Sequence, residues 1–199
     1  MSGDMNTSLG NCILAALITQ DLVDKLGIAA ELVNNGDDNV LICPVDDEDV
    51  VREHLYSHFL DYGFEVVAEP PKYITEQVEF CQMQPVFDGH QYIMVRNPTV
   101  SMSKDSHSIT PFYTANTMRK WIRAVGECGL SLTGGIPVKQ EYYKCLHRNG
   151  MDKAKIHKSK EFASGFYNLS KLSSRKEQPV CAAARYSFYL AFGYTPDEQ

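Results

Sequence analysis

The chain has 199 residues, 44% of them hydrophobic and 11% aromatic, with a formal net charge of −6. That composition excludes a disordered chain and suits one packed domain or slightly more. Its apolar runs fall short of the ~18 residues that span a bilayer, MSGDMNTSLG carries no basic secretory region, and its six scattered cysteines form no C-x-x-C pair of the zinc-ribbon or redox kind.

In chain order, TSLGNCILAALITQDLVDKL (Thr7 to Leu26) has apolar residues at helical spacing, and Gly27 is placed as a stop. AELVNNGDDNVLICP then reads as strand, tight turn, strand. DDEDVVREHLYSHFLDYG has acids at its front and Gly63 at its end, the pattern of a helix. Short β-like pieces follow: FEVVA, QVEFCQ and QYIMVR. From PFYTANTMRKWIRAVGEC onward the pattern is helical. It is expected to break at GLSLTGGIP, resume in VKQEYYKCLHRNG, pass through short helix and loop around HKSKEFASGFYNLSKLSSRKEQ, and close with a buried helix in QPVCAAARYSFYLAFGY. The layout is α+β in the first half and helical in the second, without internal repeats.

Charge is uneven. Between Lys139 and Lys176 ten Lys/Arg face three acids (Glu141, Asp152 and Glu161), about +7, whereas the remainder is strongly acidic. Such a segment is either a solvated helical face or a surface for a polyanion. Trp121, Tyr142 and Tyr143 are candidates for base stacking, although aromatic residues on helices are more commonly core. Cys145, His147 and His157 make at most a partial metal set, lacking a fourth ligand.

Two constellations carry chemistry. Gly36 lets the backbone bend sharply before Asp37 and Asp38. Adjacent side chains in a turn diverge, so Asp37 would be a direct ligand of a hard cation such as Mg2+ and Asp38 auxiliary. The competing reading is a surface turn with solvent-facing acids. A calcium loop fits poorly, because acids do not continue at alternate positions after Asn39. Upstream, Gly3 makes a flexible lead into the first helix. Thr7 and Asn11 lie four apart on one helical face, where a hydroxyl and an amide can address a ribose 2′-hydroxyl. Capping by Ser2 or Asn6 is the structural alternative.

The order and spacing of these two stretches resemble those of viral RNA-dependent RNA polymerases. SGDMNTSLGN is similar to palm motif B, NNGDDN to motif C, DYGFEVVAEPP to motif D and VEFCQMQPV to motif E. The run EFCQMQPVFDGHQYIMVRNP resembles the tombusvirus-like positive-strand RNA viruses most. The resemblance covers about residues 1 to 105 and implies an α+β fold. That fold would be a partial palm over 1–105, with an antiparallel sheet, helices and a GDD hairpin, then a mainly α-helical thumb over 106–199.

The resemblance also implies an activity, RNA-directed RNA polymerisation by two-metal nucleotidyl transfer with Mg2+ or Mn2+. Asp37 and Asp38 become catalytic and metal-binding residues. Ser2, Gly3, Thr7 and Asn11 become nucleotide and template contacts, and Phe80, Cys81 and Gln82 fall on the primer grip. Lys153, Lys155, Lys158 and Lys160, with the rest of the basic segment, would hold RNA phosphates in the thumb. Partners would be RNA template and product, NTPs, and the rest of the polymerase in cis or in trans. The location would be the host cytoplasm, at membrane-associated replication complexes reached through other parts of the replicase.

The family's motif A aspartate and the basic residues of its fingers belong upstream of SGDMNT. The 199 residues are therefore expected to be a C-terminal part of a longer polymerase, read from an internal methionine. Alone, such a piece is expected to be inactive. A motif D lysine directly after Gly63 and Phe64 is missing, and Lys72 is the nearest. Two other classes compete: a non-catalytic RNA-binding module using residues 139–176, and a small acidic metal-binding protein.

Overall fold

A computed structural model describes residues 6–108, 111–112, 114–151 and 165–199. The chain forms two compact units, Met1–Pro71 and Lys72–Gln199, so the expected palm–thumb division at 105/106 falls within the second unit. The fold is α+β, with two small antiparallel sheets among the helices.

The first unit opens with α1, Thr7–Leu26. It ends where expected: Gly27 adopts φ +66°, Gly27 N donates to Asp24 O and Ile28 N to Val23 O, the paired bonds of a Schellman stop. The hairpin follows as β1 (Glu31–Asn35) and β2 (Asp38–Ile42), in register from Glu31↔Ile42 to Asn35↔Asp38. After a 3-10 turn at Val45–Asp47 comes α2, Glu48–Asp61. Ile18, Leu22 and Val23 of α1 and Val51 of α2 are buried. Polar bonds join the two helices: His58 Nε2 lies 3.0 Å from Ile18 O, and Tyr62 donates to Asp21 Oδ2 at 2.7 Å. The front of α1 is different, with Leu9 and Leu17 each 63% exposed.

The expected strand at FEVVA does not form: residues 64–68 are irregular and Val67 is 98% exposed. β-propensity records fit to a neighbouring strand, and none pairs with this run.

In the second unit, β3 (Met83–Phe87) pairs with β4 (Tyr92–Arg96). The strand thus begins after QVEFCQ rather than in it; within that stretch Phe80 alone bridges, to Met83. α3 (Pro98–Asp105) is an element beyond those expected, yet its start is readable: Asn97 accepts from Thr99 N and Val100 N, with Pro98 in the first turn. α4 runs from Ala115 to Thr133, through the GLSLT expected to break it. Gly126 and Gly129 are tolerated because α5 (Lys139–Asn149) lies against them. A methyl at 126 would meet the backbone of His147, and one at 129 the ring of Tyr143.

Ala124, Val125 and Tyr143 centre this helix pair, with Trp121, Leu146 and Phe166 around them. α6 is Gly165–Ser170 and α7 is Ala182–Phe192. Phe188 of α7 meets Val86, Val95 and Ile136 in a second core cluster. α7 is not wholly buried: Ala184, Ser187 and Phe188 face inward, and Tyr186 lies on the exposed side.

Candidate functional site

The β1–β2 turn is built by asparagines. Gly36 takes φ +79° while Asp37 does not, the pattern of a two-residue II′ hairpin turn. Asn34 Oδ1 accepts from Gly36 N at 3.0 Å, and Asn39 Nδ2 donates to Gly36 O at 3.1 Å and Asp37 O at 3.3 Å. Asn34 also ties the turn to α1, donating through Nδ2 to Cys12 O at 3.2 Å. Gly36 is buried, and a Cβ there would lie 3.7 Å from Asn11 Cβ. The hairpin tip therefore stands beside the amino-terminal part of α1, the helix of Thr7 and Asn11.

Asp37 and Asp38 are both exposed, and among the described residues neither carboxylate is engaged in a hydrogen bond or ion pair. They are hard oxygen donors open to water, a donor type that suits Mg2+. No group of three or more His, Cys, Asp or Glu side chains gathers as a metal cage among the described residues, so the two acids could supply at most part of a cation's coordination. Ser2 and Gly3 lie outside the described residues.

A second turn is more strained. Phe80 N donates to Met83 O at 2.8 Å and Met83 N to Phe80 O at 3.0 Å. Between them Cys81 (φ +53°) and Gln82 (φ +61°) both occupy the left-handed region, as a I′ turn demands. Neither is Gly or Asn, and each costs about 1–2 kcal/mol in that conformation. Phe80, Cys81 and Gln82 are thus brought together at one tip.

The full chain, residues 1–199, matches the family described as "Viral RNA dependent RNA polymerase". It belongs to that family. It is 72% identical over its whole length to the "RNA-directed RNA polymerase" of Panicum mosaic virus (strain United States/Kansas 109S). It is 66% identical to that of Maize chlorotic mottle virus (isolate United States/Kansas/1987) and 53% to that of Turnip crinkle virus, again along its whole length. The chain spans only 20%, 21% and 26% of these three relatives.

Some of the basic residues expected to meet RNA turn inward. Lys139 is 1% exposed. Its ammonium donates to Ser101 Oγ and sits 5.0 Å from the centre of the Tyr143 ring. Tyr143 donates to Asp105 Oδ2 at 2.6 Å, and Arg96 lies 3.8 Å from the other oxygen. Burial lowers the Lys139 pKa to about 8, the Asp105 charge opposing the shift. The same burial, reinforced by Asp105, drives the Tyr143 hydroxyl far upward.

Lys144 pairs with Glu177 at 2.7 Å and Glu141 at 3.1 Å, and Arg175 with Asp88 at 2.6 Å. Desolvation pushes the Asp88 carboxyl up, but backbone N–H groups of Gln91 and His90, and then Arg175, bring it below the usual range. The expectation that the whole segment 139–176 forms a phosphate-binding face is therefore corrected for Lys139 and Arg175, which serve buried partners; Lys144 sits in an exposed ion-pair cluster with Glu141 and Glu177. Lys153, Lys155, Lys158 and Lys160 lie outside the described residues, as does His157.

Trp121 and Tyr143 pack in the core, and Tyr142 is hydrogen-bonded to Met102 O at 3.1 Å. Cys145 Sγ accepts from Asn149 Nδ2 at 3.5 Å, and all six cysteines are free thiols. Lys72 is exposed at the start of the second unit. Among the described residues no helix is long and apolar enough to cross a membrane. Sequence reasoning passed over Asn34 and Asn39, which shape the turn that carries the acids. Their signal was in plain view, an asparagine on each side of the turn.

Proposed function

We propose that this chain is the palm-and-thumb portion of an RNA-directed RNA polymerase, with the palm's motifs B to E in residues 1–105 and the thumb in 106–199. The observation that carries the reading is a pair of uncommitted carboxylates on a tip fixed by Asn34 and Asn39, with Asn11 of the preceding helix against it. Asp37 would hold Mg2+ or Mn2+ directly and Asp38 would assist. The bound ions supply charge neutralisation at the reacting oxygens of an RNA 3′-hydroxyl and an NTP. The asparagine-held turn keeps the carboxylates at a fixed height without reorganisation. Thr7 and Asn11, with Ser2 and Gly3, orient nucleotide and template. Phe80, Cys81 and Gln82 hold the primer end.

A third acidic ligand and the basic groups facing the triphosphate would come from the remainder of the polymerase, so the isolated chain is inactive. The whole enzyme works on viral RNA in the host cytoplasm, at membrane-associated complexes. The alternative is a non-catalytic RNA-binding module using residues 139–176, in which Lys139 and Arg175 would take no part because they serve buried partners.

The test exchanges this segment into the Panicum mosaic virus polymerase, whose matching part is 72% identical. Asp37→Asn should lower nucleotide incorporation by about a thousandfold, the scale of a lost electrostatic group at a reacting centre. Asp38→Asn should lower it less. Full incorporation by Asp37→Asn would overturn the reading.

A further inference from the structure

The turn at Cys81 and Gln82 holds two consecutive non-glycine residues at positive φ. Such a conformation persists only where the surroundings hold it. The next residue but one supplies a hold. Gln84 Nε2 donates to Glu76 O at 3.1 Å and to Ala191 O at 2.9 Å. Ala191 lies in the last turn of α7, where helix carbonyls lack intrahelical donors. One amide thus fastens the base of the turn to both the 75–77 turn and the end of α7.

A second set of bonds fixes the same two elements from the other end of β3. Ser187 Oγ accepts from Phe87 N at 2.7 Å and donates to Glu76 Oε1 at 2.9 Å. Tyr92 donates to the same oxygen at 3.3 Å. Glu76 and Ser187 are buried, so these bonds are shielded from water.

We propose that Gln84 is a positioning residue for the primer end: it latches the strained Cys81–Gln82 turn to α7 and to Glu76, with Ser187 and Glu76 completing the clamp. The inference rests on the reading of Phe80–Gln82 as the primer-holding tip. A strained turn that is clamped meets the RNA end in one geometry; released, it relaxes toward ordinary negative φ and the tip moves.

The experiment uses the exchanged-segment Panicum mosaic virus polymerase on a short primer annealed to a template. Gln84→Met keeps volume and removes both donated bonds. It should raise KM for primer–template by about tenfold while kcat stays within about twofold, the split expected when binding geometry and not chemistry is lost. Adding Cys81→Asn should bring KM back toward the starting value, because asparagine accepts positive φ more readily. Glu76→Gln keeps the accepting oxygen and should match the parent, whereas Glu76→Leu should resemble Gln84→Met.

An unchanged KM in Gln84→Met, a failure of Cys81→Asn to restore it, or a loss of kcat in step with a fallen thermal midpoint would overturn the latch. Should Gln84→Met not fold, Ser187→Ala removes one hydroxyl and no carbon, and should raise KM by about threefold. An unchanged KM there also overturns the proposal. Phe80→Ala and Gln82→Ala separate the two readings. If neither alters primer KM, the primer-holding assignment fails; if both raise it and Gln84→Met does not, the latch alone fails.

Discussion

Lys139 offers a quantitative test of the second unit. Its pKa is lowered from 10.5 to about 8 by burial. At about 1.4 kcal/mol per unit, the charged amine costs the folded state on the order of 3 kcal/mol relative to the unfolded chain. The unfolded chain binds the proton more tightly, so the penalty is fully present below about pH 8 and is relieved as pH rises toward 10.5. Lys139→Met removes the charge and keeps an unbranched apolar stem in the same buried place. Ser101 keeps its donated bonds to Asn97 O and Pro98 O, and Asp105 keeps Tyr143 and Arg96.

The variant should be more stable at pH 7 by about 1–3 kcal/mol, within the range found when buried charges give way to apolar groups. Denaturant unfolding of both proteins from pH 7 to 10 measures it. The difference between them should shrink toward zero as pH rises. The comparison is needed because burial also raises the Cys128 thiol and the Tyr142 and Tyr143 hydroxyls, which lower stability at alkaline pH in both proteins. A variant destabilised by more than about 2 kcal/mol, with a difference independent of pH, would show that attraction to Asp105 outweighs desolvation and refute the reasoning.

Further outcomes are expected. Arg175→Met strands the Asp88 carboxylate in a buried site and should cost about 3 kcal/mol or more in denaturant unfolding. Asp88 contributes stability that is present above the ordinary carboxylate pKa and lost as pH falls through its depressed folded value, so in that variant acid unfolding should begin at higher pH. Gly129→Ala should destabilise by about 1–3 kcal/mol as the methyl meets Tyr143. Gly10→Ala on α1, with nothing within 4 Å, should stabilise by about 0.5–1 kcal/mol in the same assay. Replacing Lys153, Lys155, Lys158 and Lys160 by Gln should flatten the log–log salt dependence of RNA affinity by about 0.7–0.9 for each phosphate left without its lysine; an unchanged slope would remove them from the RNA face.

Local signals were legible and long-range ones were not. α1 was readable at both ends because apolar spacing and Gly27 are properties of one stretch. The β1–β2 hairpin was readable because Asn34–Asn39 lies between two apolar runs. FEVVA misled because a strand is a pairing, and the sequence shows propensity without showing a partner. GLSLT misled in the opposite sense: Gly129 looked like a breaker, yet its missing side chain makes room for Tyr143 of α5. The inward fate of Lys139 depends on Ser101, 38 residues away, and no spacing rule reaches that far. The latch at Gln84 is longer still, closing on Ala191 across 107 residues.

Asn34 and Asn39 shape the hairpin tip while the carboxylates of Asp37 and Asp38 take no part in holding it. On the proposed function, foldability and reactivity are therefore written in different residues of one hexapeptide. The acids can then be exchanged for amides or for other polar side chains while the scaffold stays as it is. An inactive Asp37 variant would then report on chemistry alone, and the same tip is a ready frame for trying a different cation.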